Sequence, residues 1–154
     1  MARALAVGLT EYSTPAGGCL LTEDAFASKA KDLFVHEDRP STKDMELLAL
    51  GRHFRVGART KIILGRNELE NLQLEGHAQQ GYTCIRPQFA GPAALLVGRW
   101  SEEARDTAVA LIVRHTKAER LPQVPLGFWV DGTAWTTDRT GLAGEAQPVE
   151  VVKL

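Results

Sequence analysis

The spacing of the apolar residues changes at Gly51, and this change limits the folds open to the chain. Before Gly51, apolar residues recur at helical spacing over residues 23–36, and again in a short segment that begins with the capping-box-like pair Ser41 and Asp44. After Gly51, residues 52–64 contain an alternating run, a turn and an apolar β-branched run. We therefore expect two helices followed by a β-hairpin.

Helical and strand patterns continue to alternate beyond this hairpin. We predict a third helix over 67–78, strands over 82–85 and 93–97, a fourth helix over 102–117 capped by Ser101, paired strands over 128–130 and 133–135, and a final strand over 149–152. The dipeptide Asp131-Gly132 predicts a two-residue hairpin turn. In the third helix we expect Leu69 and Leu72 to point inward. The order ααββαββαβββ lacks a regular βαβ rhythm and predicts a single α+β domain with a mostly antiparallel sheet and about four helices.

The composition suits one globular domain. Of the 154 residues, 44% are apolar and 24% are charged, which is enough to close a core and unlike a disordered chain. No apolar run approaches the roughly 20 residues of a membrane-spanning helix, and the start lacks a signal-peptide layout. We expect a cytoplasmic protein with no membrane partner. Residues 1–8 are interpreted as a helix tail or the end of a fragment, and residues 9–154 as one domain.

Charge is distributed unevenly along the chain. There are 18 basic and 19 acidic residues in total, but the segment 51–66 has five basic residues and no acidic one: Arg52, Arg55, Arg59, Lys61 and Arg66. This segment carries +5 and the remainder −6. We expect a basic patch on the hairpin, because arginine forks and free helix amides suit phosphate oxygens. The alternative is a hairpin face that is paired with acids of nearby helices.

Arg66, Asn67 and Asn71 form a polar group at the predicted start of the third helix. Asn67 is explained as a helix cap. Capping does not explain Asn71, one turn further along the same face, or Arg66, which precedes the cap. We therefore single out these residues as candidate contacts to phosphates or base edges.

The stretch Thr60-Lys61-Ile62-Ile63-Leu64-Gly65-Arg66-Asn67, followed by Asn71, resembles the signature of the NFACT-R family of RNA-binding domains. That signature is a strand ending in Gly-Arg-Asn and a helix with a second Asn. Residues 15–22 and 47–72 are similar to the branch found at the C-terminus of bacterial PP-loop tRNA thiouridine synthases. The resemblance implies an RNA-binding module that presents tRNA to a thiouridine-forming enzyme, in the same chain or a separate one. The expected RNA contacts are Arg52, His53, Arg55, Lys61, Arg66, Asn67 and Asn71.

The chain departs from the family pattern in places that bear on function. Residues 81–85 lack the Asp-x-Trp-x-His of the ribosome-associated branch, and Ala90-Gly91-Pro92 stands where that branch has Pro-Gly-Ser. The chain also lacks the Ser-Gly-Gly-x-Asp-Ser loop of PP-loop ATPases and a Walker motif. We therefore expect it to hold RNA without the adenylating site and without a cofactor.

Cys19 supports an alternative function. It follows two glycines ahead of a predicted helix start, where a thiol could act as a sulfur carrier, so a thiol-dependent sulfur-transfer component is one alternative. A buried apolar plug is the other interpretation of Cys19. Cys19 and Cys84 lie far apart and belong to no CxxC, and we expect no metal site. A structural or protein-interaction domain without RNA affinity is the third possibility.

Overall fold

A computed structural model describes residues 23–78, 82–122, 125–137 and 151–154. Its helices are α1 (Asp24–His36), α2 (Thr42–Leu48), α3 (Glu68–Ala78) and α4 (Glu102–His115), with a 3₁₀ turn at Ala118–Arg120. Its strands are β1 (Arg52–Val56), β2 (Thr60–Leu64), β3 (Thr83–Pro87), β4 (Ala94–Gly98), β5 (Leu126–Val130), β6 (Thr133–Thr137) and β7 (Val151–Lys153). This order confirms the predicted α+β fold and its ααββαββαβββ sequence of elements. Residues 1–8, the segment 15–22 and Cys19 lie outside the described residues.

The strands form one sheet in the order β6-β5-β3-β4-β2-β1-β7, and every neighbouring pair is antiparallel. The β1–β2 hairpin places Arg52 opposite Leu64. The β5–β6 turn has positive φ at Asp131 (47°) and Gly132 (80°), as a type I′ turn requires, which confirms the predicted hairpin.

Two helix starts also agree with their predicted caps. The Ser41 side chain accepts the amide proton of Asp44, and the Asp44 carboxylate accepts that of Ser41, so the capping box opens α2. The Ser101 hydroxyl accepts the amide proton of Ala104 at the start of α4. No helix in the described ranges combines the length and apolar character that crossing a bilayer needs.

Helix α4 packs on one face of the sheet, and helices α1 to α3 pack on the other. The core under α4 includes Phe54, Ile62, Leu64, Ile85, Leu96, Ala108 and Ile112. The opposite core includes Leu47, Ile63, Leu74, Cys84 and Leu95, with Ala30 and Leu33 of α1 against Leu48. Because successive strand side chains point to opposite faces, His53, Arg55 and Lys61 lie beneath α1 to α3.

Helix α3 is rotated away from the predicted orientation. Leu69 is 67% exposed and Leu72 is 53% exposed, so the prediction that they point inward was wrong. The helix buries Glu70, Asn71 and Leu74 instead. This rotation turns the Asn71 amide toward the chain beside β4, where it makes the contacts described below.

Candidate nucleic-acid interface

Arg55 is paired with an acid from α1. Its Nε donates to Oδ1 of Asp32 at 2.8 Å, and its Nη2 donates to Oδ2 of the same carboxylate. Burial alone would raise the pKa of Asp32, but the hydrogen bonds and charge of Arg55, with the charges of Lys61 and His36, lower it. The two side chains are 13% and 5% exposed. The expected phosphate contact at Arg55 therefore has its charge neutralised inside the protein.

Lys61 and His53 lie in the same interior. Lys61 is 3% exposed, and burial lowers its pKa. His53 is fully buried, and burial, with the charges of Lys61 and Lys29, lowers its pKa to about 3. The ring is therefore neutral, and its Nε2 donates to the carbonyl oxygens of Leu50 (2.9 Å) and Leu47 (3.0 Å). Neither residue offers RNA an accessible group, because the strand alternation points both under the helices.

Two cationic side chains and the neutral ring of His53 bind carbonyl groups at and just after the end of α2. The last carbonyls of a helix have no donor within it and favour positive charge nearby. His53 Nε2 donates to the carbonyl oxygens of Leu47 and Leu50. Lys29 Nζ donates to the carbonyls of Leu48 (3.3 Å) and Gly51 (2.9 Å), and Arg66 Nη2 donates to that of Ala49 (3.2 Å). We call this group the α2 carbonyl clasp.

Arg66 is held in place but keeps an exposed edge. Its Nε donates to Oε1 of Glu70 at 2.9 Å, its Nη2 lies 2.7 Å from the same oxygen, and its backbone N–H donates to Oε2. The Glu70 carboxylate raises the pKa of the Arg66 guanidinium. The side chain is 46% exposed, and within the described residues its Nη1 has no hydrogen-bond partner. The other edge of the guanidinium is fixed by Glu70 and the Ala49 carbonyl, so Nη1 is the nitrogen of this side chain that remains free to donate a hydrogen bond within the described residues.

The two asparagines have different structural roles. Asn67 is exposed, and its Oδ1 accepts the amide proton of Glu70 at 3.0 Å, so it caps α3 as expected. Asn71 is 8% exposed, and its Oδ1 accepts the amide proton of Ala93 at 2.9 Å. Its Nδ2 lies 3.5 Å from the carbonyl oxygen of Gly91. Asn71 therefore anchors the 90–92 loop instead of offering its own amide to RNA.

A cleft of about 380 Å³ opens between the start of α3, the 90–92 loop and the end of α4. Its charged and titratable lining residues are Arg52, Arg66, Glu68, His115, Lys117 and Arg120. We call this the basic cleft. Four of these residues are cations, and Glu68 is the single carboxylate that lines it within the described part of the chain. Of the expected site residues, the structure brings together Arg52, Arg66, Asn67 and Asn71 here, and the amide of Asn71 is already engaged with the 90–92 loop.

The sequence did not predict that residues at and after the end of α4 line the basic cleft. His115, near the end of α4, has its ring edge-on to Phe54 at 5.7 Å, and its Nδ1 lies 2.9 Å from the Leu111 carbonyl oxygen. Lys117 and Arg120 follow it and are exposed. The basic residues that follow the fourth helix were the sequence feature that could have indicated this part of the cleft. Within the described ranges no group of three or more ligating side chains could hold a metal.

Comparison with known families gave one match. A family model described as the NFACT protein RNA binding domain matches residues 51–138, more than half of the chain. Comparisons with curated proteins and with solved structures gave no match. The matched range includes all four cations of the basic cleft. The chain belongs to the NFACT protein RNA binding domain family, which supports a general role in binding RNA.

Proposed function

We propose that the chain binds RNA through the basic cleft, with Arg52, Arg66, Lys117 and Arg120 as the phosphate contacts. The observation that carries this proposal is the convergence of cations from three separate parts of the chain. One begins β1, one precedes α3, and two follow α4. Phosphate contacts of this kind position nucleic acid and supply most of its non-specific affinity.

The start of α3 adds uncharged donors to the cleft. The first amides of a helix have no acceptor within it. Asn67 takes up the amide of Glu70, which leaves those of Glu68 and Leu69 for water or a phosphate oxygen. The exposed Asn67 amide group lies beside them. A phosphate next to Arg66 would therefore meet both a guanidinium edge and helix amides.

We further propose that the RNA is tRNA, presented to a thiouridine-forming PP-loop enzyme that is part of the same protein or a separate partner. The support is the similarity of residues 15–22 and 47–72 to that branch of the family. This role would place the protein in the cytoplasm. The sulfur-transfer alternative depends on Cys19, which lies outside the described residues, and it stays a prediction.

The salt dependence of RNA binding tests the cleft. The double substitution Lys117→Gln and Arg120→Gln removes two cations from it. For single-stranded RNA, the slope of log K against log salt concentration should become shallower by roughly 0.7 for each lost phosphate contact. The matched control is Lys31→Gln with Lys43→Gln, which removes two exposed lysines that do not line the cleft.

The outcomes separate the remaining possibilities. If the cleft variant keeps the wild-type slope while the protein still binds RNA, the phosphate contacts lie elsewhere. If the wild-type protein binds total tRNA no better than an unrelated protein of equal charge, the chain is a structural or interaction domain. A preference for tRNA over unstructured RNA of equal length is the result expected from the thiouridine-related role.

A further inference from the structure

We propose that the RNA path continues from the basic cleft along α3 to a base-stacking site at Trp129, which binds a nucleobase of single-stranded RNA. This inference rests on the RNA-binding role proposed above. It assigns a second contact site to a surface that the basic cleft does not include.

The two sites belong to one continuous groove. A cavity of about 220 Å³ lies beside the middle of α3 and shares Glu68 and Asn71 with the basic cleft. It shares Glu75 and Arg86 with a larger, open cavity of about 720 Å³, on whose wall Trp129 lies. The groove thus follows α3 along its whole length, about 16 Å for its 11 residues. A short run of nucleotides fits this length.

Trp129 is placed as an open platform. It lies on β5 opposite Arg86 of β3, and it is 44% exposed. Its neighbour Phe128 points to the other face of the sheet and is fully buried in the core under α4. Trp135 differs from Trp129, because it packs on Phe128 at 5.8 Å and carries Arg105 over its ring at 4.7 Å. Trp129 is therefore available for stacking in a way that Trp135 is not.

The charges at this end of the groove suit a base and not a phosphate. Glu75 accepts from Arg86 Nη1 at 3.1 Å, which leaves Asp131 as the carboxylate near Trp129. Asp131 is held by the Thr83 hydroxyl (3.2 Å) and by the amide of Cys84 (3.3 Å). A fixed carboxylate repels phosphate but accepts hydrogen bonds from the amino groups of bases.

The division of charge along the groove also selects the class of RNA. Phosphates meet the cations at the start of α3, and a base meets an aromatic face with a carboxylate beside it at the far end. A base can reach an indole face in this manner when it is unpaired, as in loops and single strands. Stacking on aromatic side chains tolerates any base, so the site selects unpaired bases, in the loops of a folded RNA or in a single strand, rather than one sequence.

The test compares two exposed tryptophans. Trp129→Leu keeps an apolar side chain but removes the stacking surface, and Trp129→Phe restores an aromatic ring. The control is Trp100→Leu, because Trp100 is 42% exposed but does not line the groove. Binding to a short single-stranded RNA is measured over a series of salt concentrations, and urea unfolding checks that each variant is folded.

We expect Trp129→Leu to bind single-stranded RNA roughly tenfold more weakly, the lower part of the range for one stacked base. Its salt slope should stay at the wild-type value, because stacking neutralises no phosphate. Trp129→Phe should recover most of the affinity, and Trp100→Leu should bind as the wild type does.

Three results would overturn the stacking site. These are equal affinities for Trp129→Leu and Trp100→Leu, an equal loss on fully paired RNA, and no recovery with Trp129→Phe. Failure of the basic cleft gives a different pattern, since the Lys117→Gln and Arg120→Gln variant would then keep the wild-type salt slope whatever the Trp129 variants do.

Discussion

The side-chain amide of Asn71 occupies the space beside Gly65 in which any other residue would place its β carbon. The same amide accepts the Ala93 N–H and approaches the Gly91 carbonyl. It therefore joins α3 to the loop that forms one wall of the basic cleft. The glycine of the Gly-Arg-Asn sequence is explained by this close approach, because the Asn71 oxygen needs the room.

We expect Gly65→Ala and Asn71→Ala each to lower the free energy of unfolding by about 1–3 kcal/mol, because each leaves buried backbone groups near Gly91 without a partner. In the double variant the losses should not add, since the alanine methyl then meets no Asn71 side chain. Urea unfolding of the four proteins measures the coupling. Strictly additive losses would contradict the contact.

Arg55 is expected to matter for stability and not for RNA binding. Removing one partner of a buried ion pair leaves an uncompensated charge, so Arg55→Gln should cost about 3–5 kcal/mol. The exposed pair Arg86–Glu75 provides the control, and Arg86→Gln should cost less than about 1 kcal/mol. Chemical unfolding measures both costs. A folded Arg55→Gln variant whose RNA binding has a shallower salt slope would contradict this expectation, because it would show that Arg55 contacts a phosphate.

His53 is expected to weaken the fold in acid. The imidazole pKa is near 6.5 in an unfolded chain and about 3 in the folded protein. Between these values the unfolded state holds one more proton. The contribution of the neutral His53 ring to the free energy of unfolding is complete above pH 6.5. As the pH falls from there toward 3, this contribution is lost at about 1.4 kcal/mol per pH unit.

His53→Gln keeps a side-chain N–H but cannot take up this proton. The curve of its unfolding free energy against pH should therefore be flatter than that of the wild type between about pH 4 and about pH 6. Urea titrations at several pH values measure both curves. Parallel curves would show that His53 is not the buried neutral group.

Cys84 is expected to be inert in the folded protein. Burial raises the pKa of its thiol to about 12, with the negative charges of Glu75 and Asp131 adding to the effect. Because the thiolate is the reactive form, iodoacetamide near neutral pH should label Cys84 after denaturation but not before. Peptide mass spectrometry locates the label. Label found at Cys84 in the native protein would contradict its burial, whereas label at Cys19 would report on the sulfur-transfer alternative.

Local features were the ones that could be predicted from the sequence. The Asp131-Gly132 turn and the Ser41 and Ser101 caps depend on neighbouring residues, and all three agree with the structure. The pairing of Arg55 in the basic hairpin could not be predicted, because its partner Asp32 lies 23 positions earlier in the sequence. The strand alternation that places Lys61 and Ile63 on the same sheet face could be predicted from the sequence. The sequence did not show that helices cover this face and so bury Lys61.

The basic cleft could be predicted only in part. Arg66 and Asn67 stood out because they are adjacent to a helix start. Lys117 and Arg120 follow α4 some 50 positions later and join them through the packing of α4 on the sheet. The orientation of α3 was predicted wrongly because Leu69 and Leu72 suggested an apolar face directed inward. The hydrogen bonds of Asn71 instead fix the helix with Asn71 inside and both leucines exposed.

The α2 carbonyl clasp has a consequence for where this domain begins. The family match starts at residue 51, whereas the clasp joins His53 and Arg66 to carbonyls of residues 47–50 and adds Lys29 from α1. A protein cut at residue 51 would lose these acceptors, the Asp32 partner of Arg55, and α1 and α2, two of the three helices that cover one sheet face. We propose that residues 24–50 are part of one cooperative folding unit with the rest. The stretch that carries the family's sequence is then shorter than the stretch that must fold.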